Sequence, residues 1–173
     1  MIFKKYLMSE QLSKTALILW KTLYYLLQFA LRISAKKILK KRLRMQKEHP
    51  ERWREKLGET NQIRPEGELI WLHAVGLGEV MALRGLISII SHNKPNINFL
   101  VTSGTVQSAE LFSQNLPVNT THQFIPFDVH KFRQSFLSRW KPNLVIWSEQ
   151  EIWPGFVNDC TKLKIPQVWV NAR

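Results

Sequence analysis

The chain has 173 residues, 45% of them hydrophobic, and a formal net charge of +12. This length allows one domain with a substantial core but not two complete domains, and the hydrophobic content excludes an intrinsically disordered chain. The single cysteine, Cys160, excludes a disulfide framework within the chain and favours a reducing compartment. Residues 1–57 carry 15 Lys and Arg against 4 Asp and Glu, whereas residues 58–173 carry 10 against 9. The basic first third therefore predicts attachment to an anionic partner, either a lipid surface or a nucleic acid.

Residues 15–31 form a strongly apolar segment that no proline or glycine interrupts. The composition predicts a helix, and 17 residues in helical conformation reach about 25 Å, short of a hydrocarbon core of about 30 Å. Lys21 could be accommodated only near an interface. The segment is therefore expected either to span a membrane marginally or to lie in one leaflet.

A basic cluster follows the apolar segment directly. A cluster in this position is typical of the cytoplasmic side of a bilayer, where it binds anionic headgroups. The alternative is a core helix followed by a solvated basic helix, and nucleic-acid binding is disfavoured because the adjoining apolar run needs a lipid-like partner. Residues 49–59 then form a short amphipathic link that ends at Gly58, so residues 1–60 are predicted to be an anchor helix with a basic helical linker. The cluster comprises Arg32, Lys36, Lys37, Lys40, Lys41, Arg42, Arg44 and Lys47.

The polar stretch 61–68 marks the predicted start of a second unit, residues 61–173. Within it, apolar runs predict strands at 69–75, 98–102, 123–127, 144–148 and 167–170, and helical spacing predicts helices at 79–92, 105–115, 128–140 and 153–164. Asp128 is expected to cap the third of these helices, and Pro126 to mark an edge strand or a strand end. Regular alternation of strand and helix predicts an α/β fold, a Rossmann-like parallel sheet with helices on both faces.

In an open parallel sheet, ligands bind outside the carboxyl ends of the strands. Glu79 is the sharpest candidate there, because Gly76 and Gly78 let the backbone approach a ligand and a carboxylate that opens a helix is favoured in its ionised form. Such a carboxylate can accept a proton, although simple helix capping is the alternative. Other polar residues expected at this edge are His73, Thr102, Ser103, Gly104, Thr105, Glu149, Glu151, Asn171 and Arg173.

Two of these groups suggest particular contacts. The loop 102–105 (TSGT) resembles loops that offer hydroxyl and amide donors to a sugar or phosphate, although turn chemistry explains it equally well. Glu149 and Glu151, two positions apart, face the same way in an extended chain and suit sugar hydroxyls, a basic partner or helix capping. The sequence has no ligand-spaced Cys/His set, so a bound metal is not predicted.

The motifs HAVGLGEV (73–80), TSGT (102–105), FIPFD (124–128), EQEIWP (149–154) and NAR (171–173) occur in the order and spacing of one family. They resemble the N-terminal domain of the 3-deoxy-D-manno-octulosonic acid (Kdo) transferases of lipopolysaccharide assembly. ERWREKLGE (51–59) resembles the segment that precedes that domain, and the apolar helix with its basic stretch resembles the family's membrane anchor. The chain departs from the family at Gly76, where Ser is usual, and at Gln150, where Thr is usual.

The resemblance implies the acceptor-side half of a two-domain GT-B glycosyltransferase on the cytoplasmic face of the bacterial inner membrane. Such enzymes transfer Kdo from CMP-Kdo to the lipid A precursor with inversion, without a metal or other cofactor. Glu79 aligns with the general base, and Gly78 and the polar residues of the sheet edge named above are expected to bind substrate. Anionic inner-membrane lipids are the other expected partner, and no nucleic acid is expected.

The donor domain of that family is expected to be absent from residues 1–173, which is compatible with a fragment, a split gene with a separate C-terminal half, or a decayed copy. The alternative to an enzyme half is a non-catalytic, membrane-bound module that holds acidic glycolipid. A nucleic-acid-binding α/β domain is the least favoured interpretation.

Overall fold

The computed structural model describes residues 14–148 and 153–170. Helix α1 (Lys14–Arg44) comes first and is followed by a 3-10 turn (Trp53–Leu57). Strands and helices then alternate along the chain. In order they are β1 (Leu69–His73), α2 (Leu77–Asn93), β2 (Asn98–Ser103), α3 (Val106–Ser113), β3 (Thr120–Phe124), α4 (His130–Trp140), β4 (Leu144–Ser148), α5 (Pro154–Lys162) and β5 (Gln167–Val170).

The described strands form one parallel sheet in the order β3-β2-β1-β4-β5. Strand β1 lies in the middle, with His73 in register with Thr102 of β2 on one side and with Trp147 of β4 on the other. The order of strands reverses direction between β1 and β4, and the crevice at such a switch point is where open α/β sheets bind ligands. The predicted α/β fold is confirmed, and the central crevice lies between the carboxyl ends of β1 and β4.

Apolar side chains cover the sheet on both faces, as strands buried on two sides require. On one face α2 and α3 pack through Val80, Leu83, Ile87 and Phe112. On the other, α4 and α5 pack through aromatic residues around Trp71, whose ring lies 4.8 Å from that of Phe136 and 5.1 Å from that of Trp147. The predicted helices on both faces are therefore present.

Helix α1 is continuous through the predicted apolar and basic segments, and its second half packs on the domain. Ala35 and Leu39 are fully buried against Leu57, Val129 and Phe132. Within the described ranges, 14–148 and 153–170, no helix is both long enough and apolar enough to cross a membrane.

Residues 42–58, here called the connector, hold several buried charges in ion pairs. Glu48 pairs with Arg42 and with Lys56, whose Nζ lies 2.7 Å from Glu48 Oε2. Glu55 binds Arg52 through two hydrogen bonds of 2.8 and 3.0 Å and accepts the Phe124 N–H at 2.7 Å. Because Phe124 ends β3, the connector is tied directly to the sheet, while the division at residue 61 stays a prediction.

The turn of the connector ends at Gly58, as the sequence predicts. Gly58 has φ 74°, the left-handed conformation that glycine adopts at little cost. A Cβ at this position would lie 2.5 Å from the Phe132 carbonyl oxygen. Both the torsion angle and the close backbone of α4 therefore require glycine here.

Strands β4 and β5 have the predicted bounds, and the ends of β1, β2 and the four helices between strands differ from the prediction by at most two residues. The prediction for the third strand was wrong, because β3 spans Thr120–Phe124 and not residues 123–127. Its polar residues resemble a loop in sequence but have partners inside the protein: His122 Nε2 lies 2.9 Å from Ser103 Oγ, and Gln123 Oε1 accepts the Trp140 indole N–H at 2.7 Å, while Gln123 Nε2 is buried without a partner among the described residues. Pro126, which cannot donate to a strand ladder, lies beyond the strand.

Asp128 does not cap α4, whose N-cap residue is Val129. Its carboxylate instead binds Arg133 at 3.0 Å and accepts the backbone N–H of Gly155 at 3.0 Å, in the first turn of α5. A carboxylate favours nearby unpaired amides and cations, and here the cation belongs to α4 whereas the amide belongs to α5, a helix that begins 26 residues later in the chain. The predicted capping role was therefore assigned to the wrong helix.

Candidate functional site

A pocket of about 350 Å³ opens at the switch point, between the first turns of α2 and the ends of β4 and β5. Gly78 and Glu79 come from α2, and Ser148 and Val170 are the last residues of β4 and β5. Ala82, Leu83 and Leu86 form the apolar wall of the pocket. The pocket thus brings two predicted site residues together with Ser148, which sequence reasoning missed although it directly precedes Glu149.

Glu79 is the third residue of α2 and follows the N-cap residue Gly76. A negative charge in the first turn of a helix is stabilised by the helix dipole. The carboxylate folds back towards Gly76, and its Oε2 is buried without a hydrogen-bond partner among the described residues. The residue as a whole is partly exposed and borders the pocket. A buried carboxylate oxygen that lacks a partner is unusual, and the residue that carries it borders the pocket.

His73 ends β1 and is almost completely buried, with 1% of its surface exposed. Its Nδ1 lies 2.9 Å from Thr102 Oγ1 and 3.2 Å from the Thr102 carbonyl oxygen. Burial lowers the pKa of His73 to about 4, so the imidazole is neutral at pH 7. Its Nε2 has no partner among the residues that the structure describes, and its ring meets the Trp153 ring edge-on at 5.6 Å. The side chain therefore lies beneath the sheet edge, and a direct substrate contact by His73 stays a prediction.

The last residues of β2 and the loop that follows use their hydroxyl groups within the protein. Thr102 Oγ1 accepts the Trp71 indole N–H at 2.8 Å, and Ser103 Oγ lies 2.9 Å from His122 Nε2. Thr105 is the N-cap residue of α3, and its Oγ1 accepts the Ser108 N–H at 3.1 Å. Gly104 is partly exposed between them. Contacts within the sheet account for the Thr102 and Ser103 side chains, and helix capping accounts for that of Thr105, so their role in substrate binding stays a prediction.

Lys56 is a buried cation at this sheet edge that the sequence does not single out. Its ammonium group donates to the Gly104 carbonyl oxygen at 2.9 Å and pairs with Glu48. It also lies 5.5 Å from the centre of the Phe124 ring, within the range of a cation–π interaction. Lys56 therefore holds the loop after β2 to the connector. Its spacing in sequence, 48 residues before Gly104, gave no signal of this contact.

Helix α1 contacts the start of α4 through two polar residues. The Gln28 side-chain amide donates to the Asp128 carbonyl oxygen, and its Oε1 accepts the His130 N–H at 3.1 Å. Tyr24 Oη donates to Asp128 Oδ2 at 3.4 Å, and burial together with the Asp128 charge raises the pKa of Tyr24 to about 12. Gln28, which interrupts the apolar run in sequence, therefore faces the domain.

Glu149, Glu151, Asn171 and Arg173 lie outside the described residues, as does Gln150. Their predicted roles at the strand ends stay predictions. Ser148 and Val170, the described residues next to these segments, both line the pocket beside Glu79.

Residues 51–173 match the model of an N-terminal glycosyltransferase domain family. The description of that family is 3-deoxy-D-manno-octulosonic-acid transferase (kdotransferase). The match covers every motif on which the resemblance rests, from ERWREKLGE to NAR. The chain belongs to the Kdo transferase family.

Curated relatives agree with this family membership. The chain is 40% identical over 151 residues to the 3-deoxy-D-manno-octulosonic acid transferase of Rickettsia bellii, an alignment that covers 87% of this chain and 36% of the relative. It is 41% identical over 126 residues to the probable mitochondrial 3-deoxy-D-manno-octulosonic acid transferase of Arabidopsis thaliana, covering 73% of this chain and 28% of the relative. The transferase of Haemophilus influenzae is 28% identical over 127 residues, 70% of this chain and 30% of that protein. The chain thus spans about a third of the length of these Kdo transferases.

Proposed function

We propose that this chain is the acceptor-binding half of a membrane-associated glycosyltransferase that transfers Kdo from CMP-Kdo to the lipid A precursor. The observation that carries the proposal is Glu79, a carboxylate at the switch point of the sheet with one unpartnered oxygen beside a pocket. Its position in the HAVGLGEV motif of a Kdo transferase domain supports a catalytic role over simple capping.

Glu79 acts as the general base of the proposed reaction. It takes the proton from the acceptor hydroxyl while that oxygen bonds to the anomeric carbon of Kdo. The bond between that carbon and the CMP phosphate breaks with its electron pair, CMP leaves, and the configuration inverts. A free alcohol is a poor nucleophile, and a positioned base contributes roughly 10²–10⁴-fold to such a step. The proposed reaction takes its nucleotide sugar from a donor domain that is distinct from residues 61–173, and it requires no cofactor.

Charge and exposure on α1 support attachment to anionic inner-membrane lipids on the cytoplasmic face. The large side chains Leu19, Leu23, Leu26, Phe29 and Ile33 are each more than half exposed. Exposed basic residues continue the same helix, and each contributes about 1 kcal/mol near an anionic surface. These residues include Arg32, Lys36, Lys37, Lys40, Lys41 and Arg44.

The test of the enzyme is an assay of CMP release from CMP-Kdo with lipid A precursor, using the full chain alone and with a separately supplied donor half. Glu79→Gln is expected to reduce turnover by roughly 10²–10⁴-fold. The matched control is Glu110→Gln, an exposed glutamate on α3, which should keep full activity. No CMP release from the complemented mixture, with both halves folded, contradicts the proposal.

The second candidate is a non-catalytic module that binds acidic glycolipid at the membrane. The exposed basic residues of α1 favour it, because they act independently of Glu79. The module predicts binding to anionic vesicles that Glu79→Gln leaves unchanged and no turnover in the complemented assay. Replacing Lys36, Lys37, Lys40 and Lys41 together by Ala should weaken vesicle binding at least tenfold on either candidate, and unchanged binding contradicts membrane attachment through this face.

A further inference from the structure

The space beside Gly76 is occupied by the carboxylate of Glu79. An ideal Cβ on Gly76 would lie 2.0 Å from Glu79 Oε2 and 2.9 Å from Glu79 Cδ, far inside van der Waals contact. The backbone of Gly76 itself has φ −79° and ψ 165°, an extended conformation that any residue adopts. Glycine therefore matters at this position for the room that its missing side chain leaves to the Glu79 carboxylate and not for its torsion angles.

Other glycines of the same helix differ from Gly76. A Cβ on Gly78 or on Gly85 would meet no heavy atom of the described chain within 4 Å. At Gly76 the obstructing atoms belong to the end of a flexible side chain, so a larger residue would move the Glu79 carboxylate and not the backbone. A glycine-to-alanine substitution is therefore expected to displace the Glu79 carboxylate at position 76 and to displace nothing at position 85.

Two opposing effects act on the Glu79 carboxylate in this position. Oε2 has lost contact with water without gaining a hydrogen bond within the described ranges, which is unfavourable. The dipole of α2 partly compensates, because the carboxylate lies over the amino end of the helix. A methyl group at position 76 is therefore expected to move the Glu79 carboxylate towards solvent.

We infer that Gly76 is a positioning residue that lets the Glu79 carboxylate rest, with one oxygen enclosed, over the start of α2. Any side chain at position 76 displaces this carboxylate towards solvent and the adjoining pocket. The catalytic meaning of this inference rests on the function proposed above for Glu79. The positioning itself does not, since it concerns only where the carboxylate lies.

The experiment measures the accessibility of the Glu79 carboxylate directly. The full chain and its Gly76→Ala and Gly85→Ala variants are treated with a water-soluble carbodiimide and glycine ethyl ester, and modification of Glu79 is followed by peptide mass spectrometry. Gly76→Ala is expected to raise the rate of Glu79 modification several-fold. Gly85→Ala should leave the rate unchanged, because it adds the same methyl group to the same helix in open space.

Each outcome decides for or against the inference. Equal Glu79 modification in the wild type and Gly76→Ala overturns it, as does an equal rise in Gly85→Ala, which would reflect a loosened helix. If Gly76→Ala does not fold, Gly76→Ser replaces it, because serine is a favourable N-cap residue, and the same several-fold rise is expected. Failure of both variants to fold also overturns the inference, since it means that the carboxylate cannot move aside. If Glu79→Gln keeps full turnover while Gly76→Ala raises labelling, the proposed catalysis fails and the positioning stands.

Discussion

The connector and the crevice beside β1 both bury charged or titratable groups, but these groups differ in how many hydrogen-bond and ion-pair partners they have. In the connector, Glu55 has three hydrogen bonds, Lys56 has an ion pair and a carbonyl acceptor, and Glu48 Oε2, although buried without a hydrogen bond among the described residues, lies 2.7 Å from the Lys56 ammonium group. At the crevice, Glu79 Oε2 and His73 Nε2 are buried without partners among the described residues. Satisfied buried charges specify a structure, whereas unsatisfied ones are retained where a ligand completes them. The difference supports a structural role for Glu55 and the chemical role that we propose for Glu79.

The largest expected effect is on stability, at Glu55. Glu55→Gln removes the charge that neutralises Arg52 and weakens the acceptor of the Phe124 N–H, so the free energy of unfolding should fall by about 3 kcal/mol. Urea denaturation followed by circular dichroism measures it. If the free energy of unfolding falls by less than about 1 kcal/mol, Glu55 is not held in a buried ion pair. The contrast drawn between the connector and the crevice would then be wrong.

Acid should destabilise the protein through His73 at the crevice and through His122, which lies on β3 beside Arg52 of the connector. Burial lowers the pKa of His122 to about 3 and that of His73 to about 4, whereas the unfolded chain titrates near 6.5. The unfolded state therefore binds more protons below pH 6.5, and stability falls as pH decreases from about 6.5 towards 4 for His73 and 3 for His122.

Each histidine should account for about 2 kcal/mol of this loss at pH 5. Denaturation of the wild type, His73→Asn and His122→Asn at pH 7 and pH 5 measures the two contributions separately. A difference between the two pH values that neither substitution reduces would contradict the burial of both rings.

The same carboxylate-to-amide change at Glu79 should have little effect on folding. The helix dipole favours the charge by about 0.3–1 kcal/mol, and the enclosed oxygen offsets that gain, so Glu79→Gln should change the free energy of unfolding by less than about 1 kcal/mol. Urea denaturation beside Glu55→Gln sharpens the comparison, because the chemical change is identical. A loss at Glu79 as large as that at Glu55 would make Glu79 a structural residue.

The smallest effect on the free energy of unfolding is expected for an exposed ion pair at the end of the connector. Arg54 and Glu59 form an ion pair of 3.5 Å whose side chains are 66% and 48% exposed. Glu59→Gln should change the free energy of unfolding by less than about 0.5 kcal/mol. It serves as the control for Glu55→Gln, four residues earlier, and an equal loss at both positions would mean that burial does not distinguish them.

The sheet was largely predictable from the sequence because buried parallel strands are continuous apolar runs. Residues 144–148 and 167–170 have no competing interpretation, and both strands have the predicted bounds. Strand β3 was misplaced because Thr120, Thr121, His122 and Gln123 are polar, and the hydrogen-bond partners of His122 and Gln123, such as Ser103 and Trp140, are distant in sequence. A polar strand of this kind can be recognised only when its neighbours are known.

The candidate site was predictable in part for a similar reason. Glu79 follows a strand and two glycines, which is a local pattern, and it borders the pocket as expected of the sheet edge. Lys56 acts on Gly104 across 48 residues, and the clash between a Cβ at Gly76 and Glu79 depends on a rotamer. Neither has a signature in the sequence, because both arise from side-chain placement in three dimensions.

The way the connector is built into the sheet has a practical consequence for anyone who trims the protein for crystallisation or fuses it to a reporter. A shortened protein that starts at residue 61 would leave the amide of Phe124 without its Glu55 acceptor and would uncover Val129 and Phe132. Exposed aromatic surface next to an unpaired strand end favours aggregation. Removal of amino-terminal residues should therefore stop before Ala35, so that the last turns of α1 and the whole connector stay with the sheet.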